Sequence, residues 1–400
     1  MKRVDSSADS NAAASINARP PAYSKLAIKY PFKSQFDQSG NHSVNFKESY
    51  QNPWNSIRIG KVLEDLDALA GNIAYMHVVR GGDQNKKPVI VTASVDRIKV
   101  VARPTMETDM EITGGVTAVG GSSVEIRMVA KCDHASVGSW LEAYFTFVAL
   151  DSETNRPYPV VKLSPETDEE KNLEKRGLHR MDEKKKRRNA EKAARAQNSL
   201  TGSVEENEIA QALLAKGHAL KRFPTLGVAD SHVFMSETGL HNALVCQPQQ
   251  RNMHGRIFGG FLMRRSYELA FSTAYAFIGK KPTFDEVDDI AFLVPVNVGD
   301  LCLFDSRVLY TLPKGFEHGE GGSGDGRARV FIEVIVLVAS PETVSSKVSN
   351  RLYFTFGIND DTPVKQILPQ DMSEAKRMAG RILADRIQVL EDDKDEAKKR

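Results

Sequence analysis

Two stretches of this chain share one layout, so any fold that suits the first must also suit the second. Asn52-Pro-Trp-Asn-Ser-Ile-Arg-Ile-Gly60 runs into an apolar helical pattern that ends near His77. Asn252-Met-His-Gly-Arg-Ile-Phe-Gly-Gly260 runs into another that ends near Ile278. The Asn-to-Gly spacing is the same in both. A Val-Asp element follows each helix, at Val95-Asp96 and at Val287-Asp288. Each half then closes on Tyr-Phe-Thr-Phe, from Tyr144 to Phe147 and from Tyr353 to Phe356. Three landmarks in one order mark an internal duplication of a domain of roughly 130 residues.

The second copy carries the sharper chemical signal. Gly259 and Gly260 open its helix. Glycine lets another backbone approach closely and leaves the amide donors of a helix start uncovered. Such amides, with the helix dipole behind them, hold an oxyanion or polarise a carbonyl. Asn252 and His254 lie just upstream, within reach of the same point.

Composition narrows the classes. Four hundred residues, 41% apolar and 8% aromatic, suit two ordinary cores plus extensions. A formal charge of +2 gives no whole-chain attraction for a polyanion. No apolar run is long enough to span a bilayer. Cys132, Cys246 and Cys302 form no CxxC pair, which reads as free thiols in a reducing compartment. The first residues are rich in Ser, Ala and Asn and carry Lys2, Arg3 and Arg19, as mitochondrial transit peptides do. Asp5 and Asp9 argue for a disordered soluble tail instead.

Along the chain, residues 1–22 form that tail or targeting segment, and a first domain covers 23–165. Its helix spans about Ile59–Val78, with Val62, Leu66, Leu69, Ala70 and Ile73 at helical spacing. Four β-rich runs follow, at 89–101, 106–119, 122–132 and 139–150. Residues 166–222 are a charged linker. Its basic run from Met181 to Lys192 has acids mixed in and no interleaved aromatics, so a solvated helix is the reading and nucleic acid is not a partner. A second domain covers 223–362, with a strand at 240–245, a helix at 259–278 and strands at 288–294, 300–312, 327–339 and 347–358. The glycine-rich stretch 313–326 has no GK[ST] and opens no helix, so it is a hairpin loop and not a phosphate loop. Residues 363–400 form a helical tail. Its Met378, Ile382, Ile387 and Leu390 either dock on a partner or cover the body.

Glu64, Asp65 and Asp67 crowd the first helix, and Asp65 and Asp67 lie close to its apolar stripe. A carboxylate there is costly unless it is paired or used. Two readings stand on helix position alone: a general base for hydrolysis, or an exposed acidic turn favoured by the helix dipole.

A resemblance now bears on that choice. Gln250-Arg-Asn-Met-His-Gly-Arg-Ile-Phe-Gly-Gly-Phe-Leu-Met-Arg-Arg-Ser-Tyr-Glu-Leu-Ala270 is close to the signature of the acyl-coenzyme A thioesterase 9 type. Gly60-Lys-Val-Leu-Glu-Asp-Leu-Asp-Ala-Leu-Ala-Gly71 and Val91-Thr-Ala-Ser-Val-Asp96 are similar to its first half. The resemblance covers about Lys25 to Ile358 and leaves out the linker and both tails. It implies an α+β fold of tandem hotdog domains, each a curved antiparallel sheet wrapped around a long central helix.

The same resemblance implies hydrolysis of acyl-coenzyme A to free acid and coenzyme A. The rival expectation is a non-catalytic acyl-coenzyme A binding or scaffolding protein on that fold. Related hotdog thioesterases carry an Asn in the loop before the helix and an acid fifteen residues later. Asn52 and Asp67 fit both positions; Asn252 fits the first, but Tyr267 stands at the second, with Glu268 one residue out of register. Relatives pair the Asn of one domain with the acid of the other, which implies a site of Asp67 and Asn252. A backbone amide near Gly60 would polarise the thioester carbonyl, Asp67 would serve as base and Asn252 would hold the water or carbonyl. Asn52, Glu268, Gly259, Gly260 and His254 would belong to a second or degenerate site, with Gly259 and Gly260 lining it or packing the interface. The resemblance further implies no metal and no cofactor beyond the substrate, a mitochondrial location with the cytoplasm as alternative, and a homo-oligomer, a trimer of double hotdogs.

Overall fold

A computed structural model describes residues 18–33, 44–79, 88–132, 139–196, 203–223, 231–252, 255–315 and 326–397. The amino-terminal segment to residue 17, His254 and most of the glycine-rich stretch 313–326 therefore lie outside the described residues. The chain forms two compact units. Unit 1 runs to Glu191 and adds Val245–Arg265 and Asp288–Asp300; unit 2 holds Lys192–Leu244, Ser266–Val287 and Leu301–Arg400.

Unit 1 is built on β1 (Leu26–Tyr30), α1 (Ile59–Val78), β2 (Pro88–Val100), β3 (Met110–Val119), β4 (Ser123–Cys132) and β5 (Leu141–Asp151). The strands pair in the order β1-β3-β4-β5-β2, and every described pairing is antiparallel. Helix α1 packs against β2 to β5. Its apolar stripe is the reason: Val62, Leu63, Leu66, Ala70, Ile73 and Ala74 are all fully buried. Arg19 closes the carboxyl end of α1, donating from Nη1 to the Met76 carbonyl and from Nη2 to the Val79 carbonyl, both at 2.9 Å.

Helix α2 (Asp168–Ala196) lies in unit 1 as far as Glu191, and α3 (Val204–Arg222) belongs to unit 2. The described residues of 166–222 thus include two helices, the first mostly in unit 1 and the second in unit 2. Helix α2 is not simply solvated. Arg180 donates to the fully buried carboxylate of Glu125, at 3.0 Å from Nε and 2.6 Å from Nη2. Its guanidinium also stacks over the Tyr144 ring at 4.0 Å. Lys184 pairs with Asp96 and donates to Ser94 and Thr146. Two cations on an otherwise charged helix serve as its anchors, and hydropathy cannot reveal such docking.

The second copy repeats the plan with β6 (Leu240–Val245), α4 (Gly259–Ile278), β7 (Thr283–Phe292), β8 (Leu301–Leu312), β9 (Ala328–Ser340) and β10 (Ser345–Ile358), most of it in unit 2, while the start of α4 and the end of β7 belong to unit 1. Its strand order is β6-β8-β9-β10-β7. Both units therefore follow one topology: first strand, helix, then four strands, with the strand after the helix at the far end. Together they are the tandem hotdog, an α+β fold. Helix α5 (Met372–Ala397) packs on α3 and β8. Its Met378 is buried while Ile387 is exposed, so this face of the tail covers its own unit. Arg377 and Arg351 hold the buried Glu333 much as Arg180 holds Glu125. The repeat thus extends beyond Tyr-Phe-Thr-Phe to a helix anchored by arginine on a buried glutamate.

Candidate active site

Helix α1 presents Asp67, Ala68, Gly71, Asn72 and Tyr75 along one side, at the spacing of successive turns. All five line a cavity of about 550 Å³ in unit 1. Thr92 lines it from β2, Phe147 from β5 and Phe292 from β7. The loop before α4 adds Asn252, Arg256, Phe258 and Gly259. The volume lies in the range of sites that enclose small molecules, ~300–1,000 Å³. Its walls are mostly apolar, and Asp67, Asn72, Tyr75, Thr92, Asn252 and Arg256 are polar exceptions.

Asp67 is buried, with both carboxylate oxygens engaged. The Gly260 amide donates to Oδ2 at 2.6 Å, and Thr92 Oγ1 donates to Oδ1 at 3.1 Å. Burial pushes the Asp67 carboxyl up to about 6, although the Gly260 and Thr92 hydrogen bonds pull it down; Glu64 adds a smaller upward push. A carboxylate with its pKa just below neutral is suited to take a proton from water at physiological pH.

The two glycines explain themselves at this contact. A Cβ on Gly260 would stand 2.9 Å from Asp67 Cβ and 2.9 Å from the Glu64 carbonyl oxygen. No side chain fits where α4 begins against α1. A Cβ on Gly259 would meet the Phe292 ring at 2.9 Å and Asp67 Oδ2 at 3.2 Å. The Gly259 amide, in the first turn of α4, has no acceptor among the described residues. Among the described residues it is an uncovered donor on a lining residue, whereas the Gly260 amide is taken by Asp67.

The loop that delivers these glycines is shaped by Asn252. Its Oδ1 accepts from the Arg256 amide at 3.1 Å, and its own amide donates to the Arg256 carbonyl at 2.6 Å. Asn52 shapes the matching loop of the first copy. Its Oδ1 accepts from the Trp54 and Ser56 amides, both at 3.0 Å, and its Nδ2 donates to the Ile57 carbonyl at 3.4 Å.

The structure thus brings Asp67 and Asn252 to one cavity. Gly60, expected to supply the polarising amide, is buried at the start of α1 and is not among the lining residues. Gly259 and Gly260, expected to line the degenerate site or pack the interface, stand at Asp67. The start of α4 packs on α1, and identical Asn-to-Gly spacings could not reveal which glycine meets the acid. Glu268 lies in unit 2, as does Tyr267, which is buried among Phe271, Phe284, Phe354 and Phe356. Sequence reasoning missed Thr92 as a site residue; its one signal was a hydroxyl inside a run of apolar strand residues.

Asp65 is the other acid on this helix, and it is a tether. Tyr30 and Tyr50 both donate to its Oδ2, and those rings pack with Phe32 and Phe46. Burial raises its pKa, and the Tyr50 bond, Lys61 and Tyr30 oppose that rise. Glu64 accepts from Arg264 and Lys61, each at 3.0 Å.

No family model matches the chain. Single relatives do. Acyl-coenzyme A thioesterase 4, mitochondrial, of Humulus lupulus is 41% identical over 380 residues, covering 92% of this chain and 69% of that one. Acyl-coenzyme A thioesterase 2, chloroplastic, of the same plant is 39% identical over 379 residues, 91% of this chain and 83% of its own. Acyl-coenzyme A thioesterase 9, mitochondrial, of Mus musculus is 34% identical over 333 residues, 82% of this chain and 71% of its own.

Proposed function

The chain belongs to the acyl-coenzyme A thioesterase family of the thioesterase 9 type, and from that premise we propose that its hydrolytic centre is the cavity at Asp67. The enzyme hydrolyses acyl-coenzyme A thioesters to a carboxylic acid and coenzyme A. The observation that carries the assignment is the buried Asp67 carboxylate between the Gly260 amide and Thr92, at a mostly apolar cavity.

The acyl chain occupies the apolar walls, and its thioester carbonyl points to the uncovered Gly259 amide. That amide and the dipole of α4 take up the negative charge that develops on the carbonyl oxygen. Asp67 removes a proton from water as the water attacks the carbonyl carbon. Asn252 holds the water or the carbonyl in line. Collapse of the tetrahedral intermediate breaks the carbon–sulfur bond, and the proton held by Asp67 leaves with the products. Thiolate is a good leaving group, so side chains and backbone amides suffice and no metal or cofactor takes part. Arg256, the one cationic residue among the described lining residues, supplies a partner for a coenzyme A phosphate.

A thiol-release assay over a pH series tests the centre. Asp67 must be ionised, so kcat/KM should rise with pH through about 6 and level off above it. An acid limb that survives unchanged in Asp67→Asn would assign the base elsewhere. A mitochondrial location draws support from two of the three relatives, whose names carry that compartment, while the third is named chloroplastic. Organelle fractionation with an antibody to the chain decides between them and the cytoplasm. The homo-oligomer, a trimer of double hotdogs, rests on family resemblance; light scattering of the purified chain gives its mass directly.

A further inference from the structure

Unit 2 holds a second cavity that thioester hydrolysis does not use. It measures about 180 Å³ and lies among α3, β8 and α5. Leu213, Leu312, Ile367, Met378 and Ile382 form apolar wall, and Arg386 is the one charged residue among the described lining residues. The Arg386 guanidinium has no hydrogen-bond or ion-pair partner among the described residues, and its Nε is buried without an acceptor. The adjacent carboxylate is already committed: Tyr310 and Arg381 donate to the oxygens of Asp385.

A buried donor left without an acceptor is costly, and more so on a charged group. A wall of aliphatic side chains beside it selects the shape of whatever relieves that cost. An anion with an apolar tail meets both demands, and a carboxylate matches the guanidinium fork in geometry as well as charge. The volume, about 180 Å³, falls below the ~300–1,000 Å³ of drug-sized sites, which excludes a whole acyl-coenzyme A and leaves room for a tail of several carbons.

We propose that this cavity binds a medium-chain carboxylate of octanoate size, its carboxylate on Arg386 and its alkyl chain against Met378 and Ile382. This is the chemical class of the acid that thioester hydrolysis releases, yet the two cavities share no lining residue. Occupancy ties α5 to β8 and α3, so the ligand also raises the melting temperature of the full chain by mass action.

Isothermal titration of the full chain with octanoate is the test. Arg386→Gln should weaken binding about tenfold or more, and Ile382→Trp, which fills the cavity without changing charge, should abolish it. Both variants should keep acyl-coenzyme A turnover within about twofold, since they lie outside the catalytic cavity. Octanoate must also bind when the Asp67 cavity is obstructed by Gly71→Phe, which separates this site from product bound at the catalytic one. Octan-1-ol should bind far more weakly than octanoate. The proposal is overturned if wild-type protein binds no octanoate at millimolar concentration, if both cavity variants bind it as well as wild type, or if the alcohol binds equally. Absence of thiol release from wild-type protein would count against the hydrolytic centre and leave this binding result standing.

Discussion

Helices α1 and α4 occupy the same place in two copies of one fold, yet α1 lines the larger cavity with five residues and α4 with two, Gly259 and Leu262. The difference lies in a handful of side chains on one helix face. Asp67, Ala68, Gly71 and Asn72 on α1 correspond to Tyr267, Glu268, Phe271 and Ser272 on α4. In unit 1 the small residues leave space beneath the helix, and a carboxylate stands at its edge. In unit 2, Tyr267 and Phe271 pack against Phe284, Phe354 and Phe356 and fill their surroundings. Burial first, and Glu268 next, hold the Tyr267 hydroxyl protonated, well above the usual tyrosine range, so it offers no base. Duplication preserved the framework, while side-chain volume decided which copy keeps room for a substrate. The start of α4, residues 259–265 of the second copy, belongs to unit 1 and stands at its acid.

The largest effect should come from the acid itself. Asp67→Asn keeps the shape and removes the base, costing roughly a hundredfold to ten-thousandfold in kcat/KM. Stability should move the other way. The folded-state carboxyl of Asp67 lies at about 6, above its ordinary value of 3.8. Its proton therefore stabilises the fold at low pH, and that contribution is lost as pH rises through about 6. The neutral amide of Asp67→Asn brings no charge to bury, so the variant should melt higher than wild type at pH 8, and the gap should narrow below about pH 6 and close near pH 3.8. Differential scanning calorimetry across that range checks it. A variant that melts lower at pH 8 would mean the ionised carboxylate is a net stabiliser.

Next comes Gly71→Phe, which gives α1 the residue that α4 carries at the matching position. The Cβ itself has room, since its nearest neighbour would be the Phe147 ring at 3.8 Å. The ring must then enter the cavity, and kcat/KM should fall about a hundredfold, ~2.7 kcal/mol in barrier terms. Chain-length profiling adds detail: long acyl chains should suffer more than acetyl. Full activity on all chains would place the acyl group elsewhere.

Much of this architecture is legible in the residues alone, for a physical reason. Both central helices carry apolar residues at regular spacing, and their ends at Val78 and Ile278 coincide with the loss of that spacing. Strands are legible by alternation and β-branched content, but not every edge. The strand β7 begins at Thr283, ahead of the Val-Asp element, because Lys281-Pro282 reads as a turn that lasts longer than it does. What could not be read is non-local. Nothing in the spacing says that Gly260 and not Gly60 meets Asp67, because both glycines stand at equal distances from their asparagines. Thr92 is hidden for a similar reason, since a strand's two faces look alike until the helix covers one. The docking of α2 through Arg180 and Lys184 has no hydropathy signal.

Asn252→Ala should cost on the order of a hundredfold, as for loss of one oriented donor. Part of that loss is the loop, since Asn252 Oδ1 accepts the Arg256 amide. Combined with Asp67→Asn, the penalty should be less than additive, because both act on one step. Initial rates for the two single variants and the double decide this, and strict additivity would separate their roles. A smaller effect is expected at Thr92→Val, roughly threefold to tenfold at neutral pH. The Thr92 bond pulls the Asp67 pKa down, so its loss shifts the acid limb of the pH profile upward. Most of the deficit should then vanish above about pH 8, where Asp67 ionises regardless. A deficit that is equal at all pH values would make Thr92 a steric support only.

Asn52→Ala is the smallest effect and the most direct test of the asymmetry between copies. Asn52 spends its Oδ1 on two amides of its own turn and its Nδ2 on the Ile57 carbonyl. It stands before α1, whereas the loop that meets Asp67 is the one before α4. Loss of its side chain should therefore loosen a surface turn and lower stability by about 1 kcal/mol, while kcat/KM falls no more than about threefold. Glu268→Gln should be as mild, because the residue sits one position past the register that Asp67 occupies on α1. The measurement is the initial rate of coenzyme A release beside the melting curve of each variant. A hundredfold loss in either variant, with the fold intact, would mean that the second copy also runs the reaction. The filling of unit 2 by Tyr267 and Phe271 would then have to open in solution. A loss of stability without loss of rate is the expected outcome, and it would leave Asn52 as the frame of a turn whose chemical use survives only in the other copy.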